Sequence, residues 1–462
     1  MMLRRVAYYV LIALSVGLGP SVRAFAQAGD SDLSFKGGAY ERIRYEYWKN
    51  NRDMENRNYD GGDRSYYRFK TSLWGEVDYK DILGLYAKLT HEQKGYYLLG
   101  SGGKKIDSNS NSHWPADEVV FDNLYLDIKE PGNIPVNFRV GRQDLLNQYG
   151  ENFLIGDGTP GDGSRTFYFN AAKAGWTIDE KNTLDLIYIN DPRNDTWLPV
   201  IDRYKPENNL NATSEEGYVL YWKNKPNKDL SLETYYIYKR EGADWGYSAP
   251  AGLQAQKGRI NTVGAFSKYL MDPWTFHFQL ADQFGKYGAD DRQAQGGYFV
   301  ADYDFKDVPL SPQLSGQYLY LSGDNKKTAQ NEGWDSLWSR FPSYSELYVS
   351  EWQYESGNGY WTNLQMFRLT GTVKPCAKTK YSLSYSFLRA NALVDPIASA
   401  SISGAGKNRG HLLISRLDYA FTKNISAYLL GEYFIPCRGK NGFYSSSADS
   451  AVFVRTQLEL KF

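Results

Sequence analysis

The chain alternates between apolar and polar residues with a period of two, in segments of roughly ten residues separated by clusters of turn-forming residues. The last segment shows this most clearly, because it runs without interruption to Phe462. Such alternation predicts a β-strand with one face suited to lipid and one suited to water. One face carries Val454, Thr456, Leu458, Leu460 and Phe462, and the other carries Arg455, Gln457, Glu459 and Lys461.

Four other segments, in the N-terminal and the C-terminal parts of the chain, repeat this alternation. Residues 39–48, 65–79 and 379–388 place aromatic or branched apolar residues mainly on one face, and charged residues or serines mainly on the other. In a fourth segment, 410–421, both faces are partly apolar. The pattern therefore predicts an all-β fold built from many amphipathic strands.

The connections between these segments are of two lengths. Eight are short and nine are long, which joins about eighteen strands. We therefore predict a transmembrane, antiparallel, up-and-down β-barrel with short periplasmic turns, long extracellular loops and both termini in the periplasm. The predicted short turns are 80–81, 131–132, 179–182, 225–229, 271–273, 306–312, 375–378 and 422–424, and the long loops are about 49–64, 97–117, 148–163, 192–214, 241–258, 286–294, 323–361, 391–408 and 436–450.

The N-terminal residues have the pattern of a secretory signal peptide. Arg4 and Arg5 precede an apolar run from Val6 to Gly19, and Ala24-Phe25-Ala26 matches a cleavage site. A membrane-anchoring helix is the alternative, although the run is short for a bilayer span. We expect a signal peptide over residues 1–26 and a single outer-membrane barrel domain over residues 27–462.

Composition supports a barrel that faces both lipid and water. The mean hydropathy is −0.57, yet 16% of the residues are aromatic and 39 are tyrosines. A membrane barrel combines these properties because its lumen and loops are wet while aromatic girdles lie at both interfaces. After residue 26 no apolar run approaches the roughly 20 residues of a spanning helix. The formal net charge is zero, so we expect outer-membrane lipid, and not nucleic acid, as a partner.

Cysteine and histidine positions do not predict a metal site or a cofactor. The predicted topology places Cys376 in a periplasmic turn and Cys437 in an outside loop, at opposite ends of the barrel. A disulfide requires Cα atoms within about 7 Å, so we expect these thiols not to be paired with each other. The four histidines have no metal-ligand spacing.

The C-terminal strand has a second interpretation. It ends on Phe462, with Phe453 further back on the same strand. This resembles the C-terminal signal by which barrel proteins are recognised for outer-membrane insertion. We therefore expect the barrel-assembly machinery to be a partner and the bacterial outer membrane to be the location. An ordinary amphipathic strand of a soluble sandwich is the alternative.

Charged residues on the faces predicted to point inward are candidates for lining a pore. Barrels of 16–18 strands leave a water-filled channel, and rings of Arg and Lys in such channels select anions. A wet lumen with charges of both signs paired off is the alternative. The basic candidates are Arg42, Arg44, Arg68, Lys70, Arg368, Arg416 and Arg455, and the acidic ones are Glu46, Glu76, Asp78, Asp418 and Glu459.

The stretch 136–170 is the most distinctive part of the sequence. A predicted strand carries Arg139 and Arg142, is interrupted by Gly141, and leads into a glycine-rich loop. We expect Gly141 to mark a bulge that turns Arg142 inward. The following strand opens with Arg165, and the loop before it is expected to fold compactly, towards the pore mouth. No phosphate-binding motif accompanies the glycines.

Three short motifs in this stretch resemble the alginate-export family of outer-membrane porins. They are G-R-Q at 141–143, Tyr149-Gly150 and S-R-T-F at 164–167; the region 418–436 is similar as well. The resemblance implies an eighteen-stranded barrel whose arginine-lined, electropositive constriction passes an anionic polysaccharide. It implies pore-lining roles first for Arg142 and Arg165, and then for Arg139, Arg44 and Arg68.

The leading functional hypothesis is therefore a passive, anion-preferring porin for an acidic polysaccharide or oligosaccharide. A general or nutrient-uptake porin is the alternative within the same class. A barrel enzyme is disfavoured, because His113 and His277 are the available bases and no nucleophile motif accompanies them. A structural or adhesive barrel would use loop 323–361, whose Trp334, Trp338, Trp352 and Trp361 either stack on sugars or pack the loop.

Overall fold

A computed structural model describes most of the chain after the predicted signal peptide. Among the described residues, no helix is long and apolar enough to cross a bilayer. The signal-peptide prediction, Trp352 and His113 lie outside the described part. The described residues are 32–51, 54, 64–99, 116–156, 164–166, 168–201, 211, 213–242, 257–339, 341–347, 361–397 and 401–462.

The first half of the described chain forms nine strands and two single-turn 3₁₀ helices. The helices, Pro131–Asn133 and Gly150–Asn152, lie in connections between strands. The short strand β8 pairs only with the upper part of β4. The strands are β1 Leu33–Lys49, β2 Arg64–Tyr79, β3 Leu83–Leu99, β4 Ala116–Ile128, β5 Val136–Asp144, β6 Tyr168–Thr177, β7 Asn182–Asp191, β8 Val200–Ile201 and β9 Glu215–Asn224.

The second half continues as ten antiparallel strands, each paired with its neighbour in sequence. Finally β19 pairs with β1, from Lys461 opposite Tyr40 to Val452 opposite Lys49, and this closes the sheet. The strands are β10 Leu230–Glu241, β11 Gly258–Met271, β12 Trp274–Tyr287, β13 Asp290–Asp304, β14 Gln313–Leu321, β15 Leu364–Cys376, β16 Thr379–Arg389, β17 Asn408–Ala420, β18 Ile425–Pro436 and β19 Ala451–Lys461.

The described strands other than β8 thus form a closed, eighteen-stranded antiparallel barrel, which confirms the predicted fold. Closure matters because a bilayer offers no water to an unpaired strand edge. Each backbone group along the seam finds its partner in the opposite strand, and the last residue takes part as well. The amide of Phe462 donates to the carbonyl of Ala39 at 2.9 Å, and the amide of Ala39 donates to the carbonyl of Phe462 at 2.9 Å.

Alternation along the strands sorts side chains between the lipid face and the lumen. In β12, Leu280 is exposed on the outer face, whereas the preceding Gln279 is buried inside. Aromatic pairs mark both rims of the outer face. Trp274 and Tyr303 have ring centroids 4.8 Å apart near the short turns, and Tyr188 and Tyr218 are 5.1 Å apart towards the long loops. These pairs fit the two girdles of a membrane barrel.

The predicted long loop at 286–294 is wrong. Strands β12 and β13 continue to Tyr287 and from Asp290, so residues 288–289 alone connect them. Gly288 has a φ of +61°, the backbone conformation that a two-residue hairpin turn requires. The polar residues around this glycine have the composition of a loop, although they form the ends of two paired strands.

The two cysteines are free and lie at opposite ends of the barrel, as predicted. Cys376 ends β15 at a short turn, and Cys437 follows β18 in a long loop. The connection 377–378 and the other predicted short turns all lie at one end of the barrel, which is the periplasmic end in outer-membrane proteins.

Candidate pore constriction

A segment after β5 folds into the lumen and does not extend outward. This first lumen segment, residues 145–156, reaches the wall formed by β12 and β13. The Glu151 carboxylate lies 2.6 Å from Nδ1 of His277 and accepts a hydrogen bond from the Tyr298 hydroxyl at 2.9 Å. Both partners stand on lumen-facing positions of their strands, since their backbone neighbours Phe278 and Phe299 are exposed to lipid. The segment is therefore held against the inner wall.

The same segment also contacts the wall between β7 and β10. The Tyr149 hydroxyl donates to Asp185 at 2.7 Å, and the Gly150 amide donates to Glu233 at 3.0 Å. The Tyr149 ring packs on that of Tyr221, with centroids 4.7 Å apart. The first lumen segment thus covers the inner wall from β7 to β13.

A second lumen segment comes from the long loop between β14 and β15. Its described residues, 334–339 and 341–347, extend from the β10–β13 wall to the opposite side of the barrel. At one end, Nζ of Lys239 donates to the carbonyl of Leu337 at 2.9 Å. At the other end, the Glu346 carboxylate lies 2.7 Å from Nη1 of Arg455 in β19. This segment therefore crosses the lumen.

The two lumen segments pack on each other and form one body. The Gly156 amide donates to the Trp338 carbonyl at 2.9 Å, and the Trp338 amide donates to Leu154 at 3.1 Å. The Phe153 ring lies 5.2 Å from that of Phe341, and both side chains are buried. Because Trp338 is fully buried, its face cannot serve as the external sugar-stacking surface considered for loop 323–361.

Four arginines and three glutamates form an ion-pair cluster against the wall of β1, β2 and β19, and one of the glutamates, Glu346, comes from the second lumen segment. We call it the arginine cluster. Its arginines stand on lumen-facing positions of three neighbouring strands, β1, β2 and β19. Alternation in the sequence placed these side chains on inward faces, and the strand register agrees. The members are Arg42, Arg44, Arg68 and Arg455 with Glu46, Glu92 and Glu346.

Short contacts join the cluster into one network. Glu92 binds Arg68 through two hydrogen bonds of 2.9 and 3.1 Å and binds Arg42 at 2.9 Å. Glu46 accepts a hydrogen bond from Nε of Arg455 at 2.8 Å and lies 3.8 Å from Nη1 of Arg44. Glu92 is thus shared between Arg42 and Arg68, and Glu46 is shared between Arg44 and Arg455.

Exposure divides the cluster into a front and a back. The side chains of Arg42 and Arg44 are 12% and 16% exposed, whereas those of Glu46 and Glu92 are fully buried. Glu346, at 38%, is the acidic member that reaches water. Next to β1 and β2, the guanidinium groups of Arg42 and Arg44 are therefore more exposed than the Glu46 and Glu92 carboxylates that hold them, whereas Glu346 is more exposed than either arginine.

Arg142 and Arg165 meet at a different place, in a buried group at the upper edge of the wall. Asp195, from the loop between β7 and β8, lies 2.6 Å from both guanidinium groups. Arg165 also contacts Glu118 of β4 at 2.5 Å. These contacts pair the positive charges of both arginines with carboxylates of the protein itself. The structure thus brings together the two residues that the family motifs singled out, and buries them.

Gly141 has a φ of +127°, but no register shift accompanies it. Arg142 stands opposite Leu124 and Asn170, and its side chain is fully buried. The bulge expected at Gly141, which was to turn Arg142 inward, is therefore absent from these strand pairings, and Arg142 is buried.

Lys70 connects the two groups of charges. Its Nζ donates to the carbonyl of Arg165 at 3.0 Å, and the side chain is buried. One residue earlier, the Ser164 hydroxyl accepts a hydrogen bond from the amide of Glu92 at 2.8 Å. The segment that carries Arg165 is therefore fixed to the back of the arginine cluster.

The remaining arginine candidates lie on the lumen wall as isolated groups. Arg139 forms two hydrogen bonds to Asp127, at 2.7 and 2.8 Å. Arg416 contacts Asp418 at 2.7 Å near the short turns. Arg368 donates to Ser384 at 3.0 Å, and its guanidinium lies 4.3 Å from the ring centroid of Tyr344 in the second lumen segment. The sequence did not indicate Glu346 or Asp195 as partners, because both lie in loops without alternation.

Within the described part of the chain, no group of three or more His, Cys, Asp or Glu side chains is placed to hold a metal ion.

Trp338 offers a test of the lumen segments. We expect Trp338→Ala to increase single-channel conductance and current noise in a planar bilayer, because it removes the side chain on which both segments pack. Truncation of a buried Trp costs about 3–5 kcal/mol of packing free energy, and Trp338 belongs to no barrel strand. Trp197→Ala is the control, since Trp197 is 60% exposed. Unchanged conductance in Trp338→Ala would show that the segments do not restrict the pore.

Asp195 offers a test by pH. Burial raises the pKa of Asp195, but the hydrogen bonds and charges of Arg142 and Arg165 outweigh burial and hold that pKa below its ordinary value. A depressed pKa stabilises the fold above the unfolded value of about 3.9 and stops doing so as the pH falls through the folded value.

We expect Asp195→Asn to lower the free energy of unfolding by roughly 3 kcal/mol at pH 7, since it leaves buried guanidinium charge unpaired. The difference from wild type should shrink as the pH drops below about 4. Urea unfolding in lipid vesicles between pH 3 and pH 7 measures both effects, and Asp272→Asn, at an exposed position, is the control. A difference that stays constant with pH would contradict the ionised Asp195.

Comparisons with known proteins agree with this architecture. The barrel is similar to the outer membrane protein OpdK from Pseudomonas aeruginosa, with a TM-score of 0.54 and 10% identity, covering 92% of this chain and 98% of that one. It is also similar to OccAB2 from Acinetobacter baumannii, with a TM-score of 0.54 and 12% identity, covering 92% of this chain and 98% of that one. A third similar structure is P. aeruginosa OpdK with vanillate, with a TM-score of 0.52 and 11% identity, covering 92% of this chain and 98% of that one. These identities show a common fold alone. Comparison with curated protein sequences gave no match.

The family comparison is more specific, because it matches the sequence itself. The model of the family described as alginate export matches residues 34–434, which is well over half of the chain. Both the family and the fold are those of a transport porin and not those of an enzyme class. The chain therefore belongs to the alginate-export family and is an outer-membrane β-barrel channel protein.

Proposed function

We propose that this channel lets anions diffuse passively and exports or exchanges an acidic polysaccharide or oligosaccharide of the alginate type. The observation that carries this proposal is the division of the arginine cluster. Arg42 and Arg44 reach lumen water, while the shared carboxylates of Glu46 and Glu92 are fully buried behind them.

The position of the charges decides which ions such a wall favours. A mobile anion near β1 and β2 approaches guanidinium donors at short range, whereas a cation meets the carboxylates only through that layer. Rings of Arg and Lys select anions by this kind of direct contact. Four guanidinium groups against three carboxylates also leave an excess of positive charge within the cluster.

An acidic sugar polymer suits this wall better than an isolated anion. The planar guanidinium fork binds a carboxylate through two parallel hydrogen bonds. Because Arg42 and Arg44 already share their carboxylates with other arginines, each contact to a solute is weak and reversible. Conduction requires such weak, repeated sites, since a tight site would hold the polymer in the pore.

The other candidate arginines support the pore in different ways. We propose that Arg68, Arg455 and Lys70 hold the cluster and the segment beside it in place. Arg142 and Arg165 hold the upper wall through Asp195. Arg139, Arg368 and Arg416 line the lumen as separate positions along the path.

We further propose that the chain enters the outer membrane after removal of residues 1–26, which leaves one barrel domain over residues 27–462. The barrel-assembly machinery would recognise the last strand, which ends at Phe462. This strand forms the seam with β1, so its insertion closes the barrel.

Uptake of a small carboxylate is a second candidate. The two lumen segments, residues 145–156 and 334–347, narrow the path, which favours a small or extended solute over a bulky one. OpdK, one of the similar structures, has been solved with vanillate. A general nutrient porin would share the narrowed lumen, but its transport would not depend on Arg42 and Arg44, the exposed part of the cluster that we call the arginine front.

Block of the ion current distinguishes these candidates. We expect a uronic-acid oligomer to produce resolvable interruptions of single-channel current at lower concentration than either vanillate or the uncharged form of the same oligomer. Blocks by vanillate alone would favour small-carboxylate uptake. A current that none of these solutes interrupts would contradict both candidates.

The arginine front can be tested with a paired substitution. Arg42→Gln with Arg44→Gln keeps polar donors but removes both exposed charges, so the uronic-acid oligomer should dissociate roughly tenfold faster. Loss of a charge-assisted hydrogen bond of about 1.5–3 kcal/mol allows at least a tenfold effect. Arg240→Gln, at an exposed position outside the lumen, is the matched control. Equal blocking in all three proteins would remove the arginine front from the solute path.

A further inference from the structure

Three aromatic side chains form a continuous stack on the lumen wall below the arginine cluster. The rings of Trp74 and Tyr86 have centroids 5.9 Å apart and planes at 19°, and those of Tyr86 and Tyr125 are 5.0 Å apart at 12°. We call these three residues, on strands β2, β3 and β4, the aromatic ledge. Each follows or precedes a lipid-exposed neighbour, such as Leu73 or Leu85, so alternation places the ledge inside the barrel.

Both ends of the stack are covered. At one end the Trp74 indole lies over Gly38, where an added Cβ would come within 2.7 Å of the indole nitrogen. At the other end the Arg139 guanidinium lies 4.0 Å from the ring centroid of Tyr125. The flat faces of the rings are therefore occupied by protein, and the orientation of each ring is fixed.

The hydroxyl groups of the ledge remain available. Within the described part of the chain, the hydroxyls of Tyr86 and Tyr125 have no hydrogen-bond partner, and both side chains are partly open to the lumen. Tyrosines on the filled side of the barrel differ. The hydroxyl of Tyr149 donates to Asp185 at 2.7 Å, and that of Tyr298 donates to Glu151 at 2.9 Å.

We propose that the aromatic ledge is a binding subsite for the hydroxyl groups of sugar rings, on the periplasmic side of the arginine cluster. The inference rests on the proposed function in that it assigns the hydroxyls of the same saccharide to a site of their own. A phenol both donates and accepts a hydrogen bond, as a sugar hydroxyl does, so the two groups match in either direction.

Charge separates this subsite from the arginine cluster. Lys88 stands opposite Trp74 and is paired with Asp122 at 2.7 Å. Arg139 lies over the Tyr125 ring, and two hydrogen bonds to Asp127 neutralise it. It therefore acts as a positioning residue for the Tyr125 ring and leaves no free charge for a carboxylate. The ledge recognises hydroxyl groups, whereas the cluster recognises carboxylates.

The two sites lie along one path. Trp74 and Arg68 belong to the same strand, β2, and are six residues apart, which corresponds to about 20 Å. Trp74 is nearer to the short-turn, periplasmic end. A saccharide chain that enters from the periplasm reaches the ledge first and can contact both sites at once, which keeps each individual contact weak.

An uncharged oligosaccharide of mannose isolates hydroxyl recognition from charge. In a planar bilayer, wild type should show resolvable current interruptions with this sugar. The double variant Tyr86→Phe with Tyr125→Phe keeps both rings and their stacking but removes the hydroxyls, so the interruptions should become about tenfold shorter for two neutral hydrogen bonds lost. Tyr419→Phe, on the exposed outer face, is the control.

Conductance in salt alone and the thermal unfolding of each variant show whether the barrel is intact. Interruptions of equal length in wild type and the double variant, or no interruptions in wild type, would contradict the proposal that the ledge binds sugar hydroxyls. A second result would separate the two proposals. If the wild-type channel has no anion preference, but the sugar blocks it and is released faster by the double variant, the proposed function is refuted and the ledge subsite is supported.

Discussion

The need to pair every backbone amide and carbonyl inside the bilayer determines the rest of this structure. Water is absent there, so a strand edge left open would cost several kcal/mol for each unpaired group. Pairing of β19 with β1 removes the last edge. Closure of eighteen strands then creates an interior too wide for wall side chains to fill, and the lumen must be occupied by water, by loops or by both.

The protein uses both, and it divides them between two sides of the barrel. The lumen segments cover the wall from β7 to β13 and bury their aromatic residues there, with Phe153 and Trp338 at the centre. The wall of β1 and β2 stays open, and together with β19 it carries the arginine cluster, to which the second lumen segment adds Glu346. Carboxylates on this wall compensate enough charge to keep the arginines folded in place, yet they lie behind Arg42 and Arg44. The same ion pairs therefore stabilise the wall and give it a positive surface.

The alternation of apolar and polar residues predicted the features that depend on strand geometry alone. Alternation assigned Arg68 and Arg455 to the inner face, since the period of a strand is set by backbone geometry alone. It did not reveal that residues 334–347 enter the lumen, because a Trp-rich loop has the same composition whether it packs inside or faces outside. Nor did it pair Arg142 with Asp195, which are 53 residues apart and meet only after the barrel has closed. Around Gly288, the turn-forming residues predicted a long loop, but they form a two-residue turn and the ends of its two strands.

The proposed anion preference requires that the guanidinium groups of Arg42 and Arg44, and not the carboxylates of Glu46 and Glu92, face the open lumen. The reversal potential of the wild-type channel across a salt gradient in a planar bilayer measures this most directly. At neutral pH and low ionic strength, where screening is weak, we expect a potential of the sign produced by preferential anion flow, and its magnitude should decline as salt is added. A potential of the opposite sign, or none at any salt concentration, would contradict it.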